Sequence, residues 1–305
     1  MQPPRRANPA LKLDEDEEWH SNPPNGELIA PNAVEACCRY PSVMALYGPY
    51  PPTSRITMSF LKIVSMACLA LILGACQSFF EPNLRKPLTV QRDASELLKP
   101  GCTTNDCPLV NVDTVHFPDE PKLDGIVQRT LLQLTRSDTD GPVPPTIKAY
   151  QDQFLARAPA RNASYLQAKV REQHDGLVVV ELSSYLDTGG AHGDPGRAFI
   201  NYSRQQQRVL TLADMLVPGQ EAAFWAKAEM AHQAWQVSTK LDKDADFQKT
   251  WPFKRTSNIA LTYGAVILKY PVTTIAPYAM GHIELKIPYP QLNGIIKPEL
   301  FPGRS

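Results

Sequence analysis

An apolar run at residues 63–73 closes on Leu73-Gly-Ala-Cys76, and this arrangement bounds everything else the chain can fold into. A short start with Met58 and Lys62 precedes the run, and the small residues Gly74 and Ala75 lead into the cysteine. That is the pattern of a secretory signal that ends at a lipid-bearing cysteine. On this reading, residues 58–75 are a lipoprotein signal peptide, and Cys76 becomes the lipidated N-terminus that ties the protein to a membrane. About 230 of the 305 residues then remain to fold, enough for one large domain or two of about 100 residues each. The run falls well short of the roughly 20 apolar residues a spanning helix requires, so a permanent membrane span is disfavoured. Gln77 stands where an Asp would signal retention in the inner membrane. The expected location is therefore the periplasmic face of the outer membrane.

Residues 1–57 fit this picture poorly, because a polar, Pro-rich segment with the acidic run 14–18 precedes the signal. The expectation is a start codon set too early, with Met58 as the true start. The rival is a cytoplasmic tail followed by an anchor, which would make the chain a transmembrane signalling molecule. Lys plus Arg and Asp plus Glu balance at 31 each, so no basic surplus is available to hold nucleic acid. With Cys68 in the signal and Cys76 lipidated, Cys102 and Cys107 are the thiols left in the folded body, and an oxidising periplasm favours their disulfide. Closing so short a loop stabilises by only about 2 kcal/mol, enough to pin the entry to the fold.

Residues 76–101 are polar and carry Pro82, Pro87 and Pro100, as expected of a tether, so folding should begin near Cys102. Residues 109–117 read as a strand, and Leu123, Ile126, Val127, Leu131 and Leu134 recur at helical spacing. Ile147, Tyr150 and Phe154 suggest a second helix. Alternation from Leu166 to Arg171, the turn His174-Asp-Gly176 and the run Leu177-Val-Val-Val-Glu-Leu182 predict a hairpin. Further strands are expected at 197–203 and 208–210, and a helical turn at 212–216. A long helix follows at 221–237, with Phe224, Ala228, Ala231 and Trp235 on one face. Strands resume at 258–263 and 265–269, and the last strand places Ile283, Leu285 and Ile287 inside with His282, Glu284 and Lys286 facing out. The predicted class is α+β with antiparallel sheets, in two halves, 102–195 and 196–305.

No activated nucleophile, zinc-binding helix motif or phosphate loop is recognisable, so neither a catalytic residue nor a cofactor is implied. Cys102 and Cys107 lack a second ligand pair at metal spacing. Asp242, Asp244 and Asp246 alternate like the start of a calcium loop, but Phe247 occupies the position of the turning Gly, and the solvated end of a helix explains them. The stretch Thr188-Gly-Gly-Ala-His-Gly-Asp194 is the unusual one. Its glycines permit a tight strand connection, and His192 and Asp194 beside exposed amides would suit ligand recognition or acid–base work. Thr188, Gly189, Gly190, His192 and Asp194 are therefore candidate ligand-binding residues. An uncharacterised cell-wall hydrolase at His192 is the catalytic alternative. Of Trp225, Trp235, Tyr263, Tyr270, Tyr278 and Tyr289, Tyr278 is the best candidate for exposure, because it lies in the turn Ala276-Pro-Tyr-Ala-Met-Gly281.

Three stretches in order, Tyr185-Leu-Asp-Thr-Gly-Gly-Ala-His-Gly193, Arg208-Val-Leu-Thr-Leu-Ala-Asp214 and Ile275-Ala-Pro-Tyr-Ala-Met-Gly281 running into Ile287-Pro-Tyr289, resemble the extracytoplasmic domain of the RsiV family. That domain also accompanies the catalytic domain of a peptidoglycan deacetylase, whose metal motif this chain lacks. The resemblance spans roughly residues 107–300. It implies a two-part α+β unit and recognition of lysozyme or of cell-wall glycan (peptidoglycan) by an anchored, non-catalytic domain, with a transmembrane anti-sigma regulator that responds to envelope stress as the alternative.

Overall fold

The six-stranded sheet of this protein is laid down in chain order, each strand beside the one before it. The structure, a computed structural model, describes residues 83–84, 86–136 and 142–303, all within one compact unit. The strands are β1 (Gln91–Leu98), β2 (Leu109–His116), β3 (Ala163–His174), β4 (Leu177–Asp187), β5 (Asp194–Ser203) and β6 (Arg208–Val209). Between β2 and β3 lie α1 (Pro121–Gln133) and α2 (Ile147–Arg157). This crossover returns the chain to the end from which β2 began, so β2 and β3 run parallel while every other neighbouring pair is antiparallel. The α+β class holds, but the large sheet is mixed and not purely antiparallel.

Local chemistry sets the elements. Asp175 and Gly176 both take positive φ, +48° and +76°, as a two-residue turn matched to strand twist requires, and the β3–β4 hairpin closes on them. Thr146 caps α2 by accepting from the Ala149 amide. Thr211 and Asp214 form a reciprocal capping box on α3 (Leu212–Met215), and Arg208 braces Asp214 through two bonds of 2.7 and 2.8 Å. Asp244 caps α5 (Ala245–Thr250) by accepting from the Phe247 amide, which accounts for the middle member of the aspartate series.

Alternation divides the large sheet into two faces. Val110, Val112, Leu166, Ala168, Val180, Leu182 and Ile200 pack against Leu123, Val127 and Leu131 of α1 and Leu155 of α2. A second core forms where α4 (Glu221–Ser238) packs on a small antiparallel sheet of β7 (Ile259–Leu261), β8 (Ala265–Tyr270) and β9 (Ile283–Pro288), with Val179 reaching in from β4. Asn201 joins the two sheets: its side chain donates to the Ile259 carbonyl (2.7 Å) and accepts from the Leu261 amide (2.8 Å), standing in for a backbone strand. Next to it, the buried Lys269 ammonium lies between Glu181 of β4 and Glu284 of β9, and Arg171 pairs with both carboxylates.

Several expectations change. Residues 91–98, expected within the tether, form β1, and the six-stranded sheet that begins there continues past residue 195 to Val209. All eight β1 residues are exposed, so the strand is held by backbone pairing with β2 and carries no hydrophobic signature. On α4 the buried stripe is Phe224, Trp225, Ala228, His232 and Gln236, while Ala231 and Trp235 are only partly covered. On β9, Ile283, Leu285 and Ile287 are buried as expected, but His282 and Glu284 sit at the junction of the sheets and do not face open solvent.

Candidate functional site: the tyrosine–histidine corner

The loop between β4 and β5 begins with a side-chain turn in which the Asp187 carboxylate accepts from the Gly189 amide at 2.8 Å, and Gly189 takes φ +77°. Thr188, Gly189 and Gly190 form its exposed tip. The loop then folds back on Tyr185. The Gly193 amide donates to the Tyr185 hydroxyl (3.2 Å), and the Tyr278 hydroxyl donates to the Gly193 carbonyl (3.4 Å). No side chain fits at Gly193, because a Cβ there would lie 2.3 Å from Tyr185 Cζ and 2.8 Å from the Leu186 carbonyl oxygen.

Tyr278 opens the single 3-10 turn Tyr278–Met280 ahead of β9, so its ring projects from the small sheet toward the loop. His192 stacks on it, with centroids 4.3 Å apart and planes 24° apart. His192 and Tyr278, far apart in sequence, thus form one surface. Burial first, then the Tyr185 hydroxyl and the Asp194 charge, push the Tyr278 phenol above its ordinary range, so at neutral pH it keeps its proton and donates. Asp194 acts here as a nearby exposed charge, and the His192 ring stacks on Tyr278 instead of pairing with that carboxylate.

The corner borders the uncovered part of the large sheet. Cross-strand partners align Glu96, Asn111, Tyr165 and Tyr185 in one row, and Asp113, Gln167, Ser183 and Arg197 in the next. Tyr165 and Tyr185 rings lie 6.2 Å apart. Asn111 donates to Glu96 (3.1 Å), and Asp113 accepts from Gln167 (3.1 Å) and from Arg92 (2.6 Å), a pairing that holds its carboxyl below the usual range against partial burial. The result is a floor of fixed amides and carboxylates bordered by aromatic rings. Sequence reasoning found Tyr278 and the loop but passed over Tyr165 and Tyr185, which become neighbours only through strand register.

The other candidates fall elsewhere. Trp225, Tyr270 and Tyr289 belong to the core, with the Tyr270 hydroxyl bonded to the Lys254 carbonyl and the Tyr289 hydroxyl to that of Thr262. Cys102 and Cys107 form a disulfide across the β1–β2 connection. Cys76 lies outside the described residues. Among those that are described, no helix is long and apolar enough to cross a membrane, and no cluster of three His, Cys, Asp or Glu side chains could hold a metal ion.

Fold and site together define a two-sheet α+β module with an open, aromatic-edged polar face. Residues 213–290 match the model of a protein family of unknown function, DUF3298. A crystal structure of a DUF3298 family protein from Pseudomonas aeruginosa PAO1 is 65% identical, covers 73% of this chain and 100% of its own, and superposes with a TM-score of 0.70. The chain belongs to the DUF3298 family. A second family member, from Bacteroides fragilis NCTC 9343, shares the fold at 18% identity and a TM-score of 0.54, over 70% of this chain and 94% of its own. Comparison with proteins of curated function finds no match.

Proposed function

We propose that this protein is a lipid-anchored, non-catalytic binding module on the periplasmic face of the outer membrane, and that its tyrosine–histidine corner recognises cell-wall glycan. The observation that carries the reading is the His192–Tyr278 stack beside Tyr185. Flat rings cover the apolar face of a sugar, and the adjoining amides and carboxylates of Asn111, Asp113 and Gln167 are set to meet its hydroxyls. The anchor reading rests on the run ending at Cys76, and the envelope setting agrees with the RsiV-like motifs. The non-catalytic reading is supported by the His192 ring being engaged in a stack on Tyr278.

Retention of the purified protein on peptidoglycan and on immobilised lysozyme tests the ligand. Retention on peptidoglycan is expected, with Tyr278→Ala weakening it by up to about tenfold, since one aromatic contact is worth roughly 0.5–1.5 kcal/mol. Retention on lysozyme alone would replace glycan by protein as the ligand, and retention on neither would end the reading. Mass spectrometry of the native N-terminus tests the anchor: a diacylglyceryl Cys76 is expected, and peptides from before Met58 in the membrane fraction would restore the transmembrane regulator.

A further inference from the structure

Among the described residues, β1 is an edge of the large sheet, with no strand bonded along its outer side. The opposite edge, β6, is two residues long and leaves little backbone to pair. β1 has eight residues in unbroken register with β2, and it carries no Pro, Lys or bulge, the devices by which folds blunt such an edge. The Lys99 amide, one residue beyond the strand, donates to the Pro108 carbonyl, so the odd-numbered residues of β1 turn their backbone groups toward β2. Those of Arg92, Ala94, Glu96 and Leu98 point outward. An exposed row of amides and carbonyls of this length is a template for another strand.

The side chains say which strand fits. A two-fold axis through Ala94, perpendicular to the sheet, lays a second β1 antiparallel to the first and keeps every side chain on its own face. Residues equally far from Ala94 on either side then stand opposite one another. Arg92 faces Glu96 of the second copy, Val90 faces Leu98, and Ala94, the smallest side chain of the strand, meets itself at the axis. Symmetry makes each charged pair and each apolar pair twice.

Every member of these pairs has capacity left in the single chain. Val90 and Leu98 are 38% and 53% exposed. Arg92 bonds Asp113 on one side, but most of its side chain is exposed, and Glu96 accepts from Asn111 on one carboxylate oxygen, which leaves the other to accept. Neighbouring registers match worse. An axis at Arg92, Asp93 or Glu96 sets like charges face to face, and an axis at Ser95 sets Arg92 against Leu98.

We propose that this edge pairs with a second copy of the chain, β1 against β1 in antiparallel register about Ala94, joining two large sheets into one. The two open polar faces then lie on the same side of the joined sheet, each with its own tyrosine–histidine corner, so the dimer offers two binding surfaces at once. The pairing follows from the strand alone and stands whether or not the corner binds glycan.

Sedimentation equilibrium of the full protein, from nanomolar to high micromolar concentration, should show a monomer–dimer equilibrium. Ala94→Lys brings two ammonium groups together at the axis and should weaken the dimer by about tenfold or more, with the unfolding midpoint close to wild type. Glu96→Lys and Arg92→Glu each place like charges opposite one another and should each weaken it by about tenfold. An equal mixture of those two variants restores both charged pairs across the axis, so it should dimerise more tightly than either variant alone. A protein that stays monomeric throughout, a dimer unaffected by Ala94→Lys, or no gain on mixing the charge variants each overturn the proposal, the first leaving the edge to a strand of another protein.

Discussion

Three glycines in the β4–β5 loop give opposed forecasts for the same substitution, Gly→Ala. At Gly193 an added Cβ would meet Tyr185 Cζ at 2.3 Å, the Tyr185 hydroxyl at 2.6 Å and the Leu186 carbonyl oxygen at 2.8 Å. Ordinary carbon contacts begin near 3.5 Å, so the phenol or the loop must move by about 1 Å. Overpacking of that kind costs about 1–3 kcal/mol, and moving the phenol also forfeits its bond from the Gly193 amide, worth about 1 kcal/mol. The expected loss is therefore about 2–4 kcal/mol in urea or guanidinium unfolding, together with loss of glycan retention. At Gly190 the nearest neighbour of a new Cβ is the His192 carbonyl oxygen at 3.9 Å and φ is not positive, so Gly190→Ala should fall within about 1 kcal/mol of wild type and keep binding. Gly189 has open space but φ +77°, and should lose about 1 kcal/mol through backbone strain alone. If Gly193→Ala is as stable as Gly190→Ala and still binds, the contact between loop and Tyr185 is not rigid and the site as described fails.

Two further predictions address the junction between the sheets. Lys269→Met leaves Glu181 and Glu284 facing each other with Arg171 as their remaining cation, and should cost about 3 kcal/mol by denaturant unfolding; a loss under about 1 kcal/mol would mean that solvent already screens the cluster. His282 is held down to about 4 from its ordinary 6.5, first by burial and then by the Arg197 charge, with the bond to the Tyr270 carbonyl opposing. The unfolded chain then takes up a proton that the folded chain refuses, so the stability contributed is full above pH 6.5 and is lost as pH falls toward 4. His282→Gln should flatten the unfolding midpoint over that interval, and an unchanged slope would assign it to other groups.

The elements that could be read from the chain were those whose cause is local. The α1 stripe, the Asp175-Gly176 turn and the helical turn at 212–215 each depend on residues within a few positions of one another, and each forms where expected. β1 could not be read, because a strand whose eight side chains are all exposed is specified by its partner's backbone and not by its own pattern. The Tyr165–Tyr185 pair was hidden for a different reason. Counting back from the turn, where His174 faces Leu177, sets Tyr165 opposite Leu186, but a register shift between Val170 and Glu172 moves its partner to Tyr185. A slip of one residue changes which side chains share a face.

The sequence by itself determined the class of the fold, the order of most of its elements and the loop that carries His192, because periodicity, caps and turns act over a few residues. Only the tertiary structure decided that β2 and β3 run parallel, that Lys269 is buried between two carboxylates, and that His192 lies against Tyr278. Those contacts join segments tens of residues apart. Which of them form depends on the shape of two packed sheets, a property no local pattern encodes.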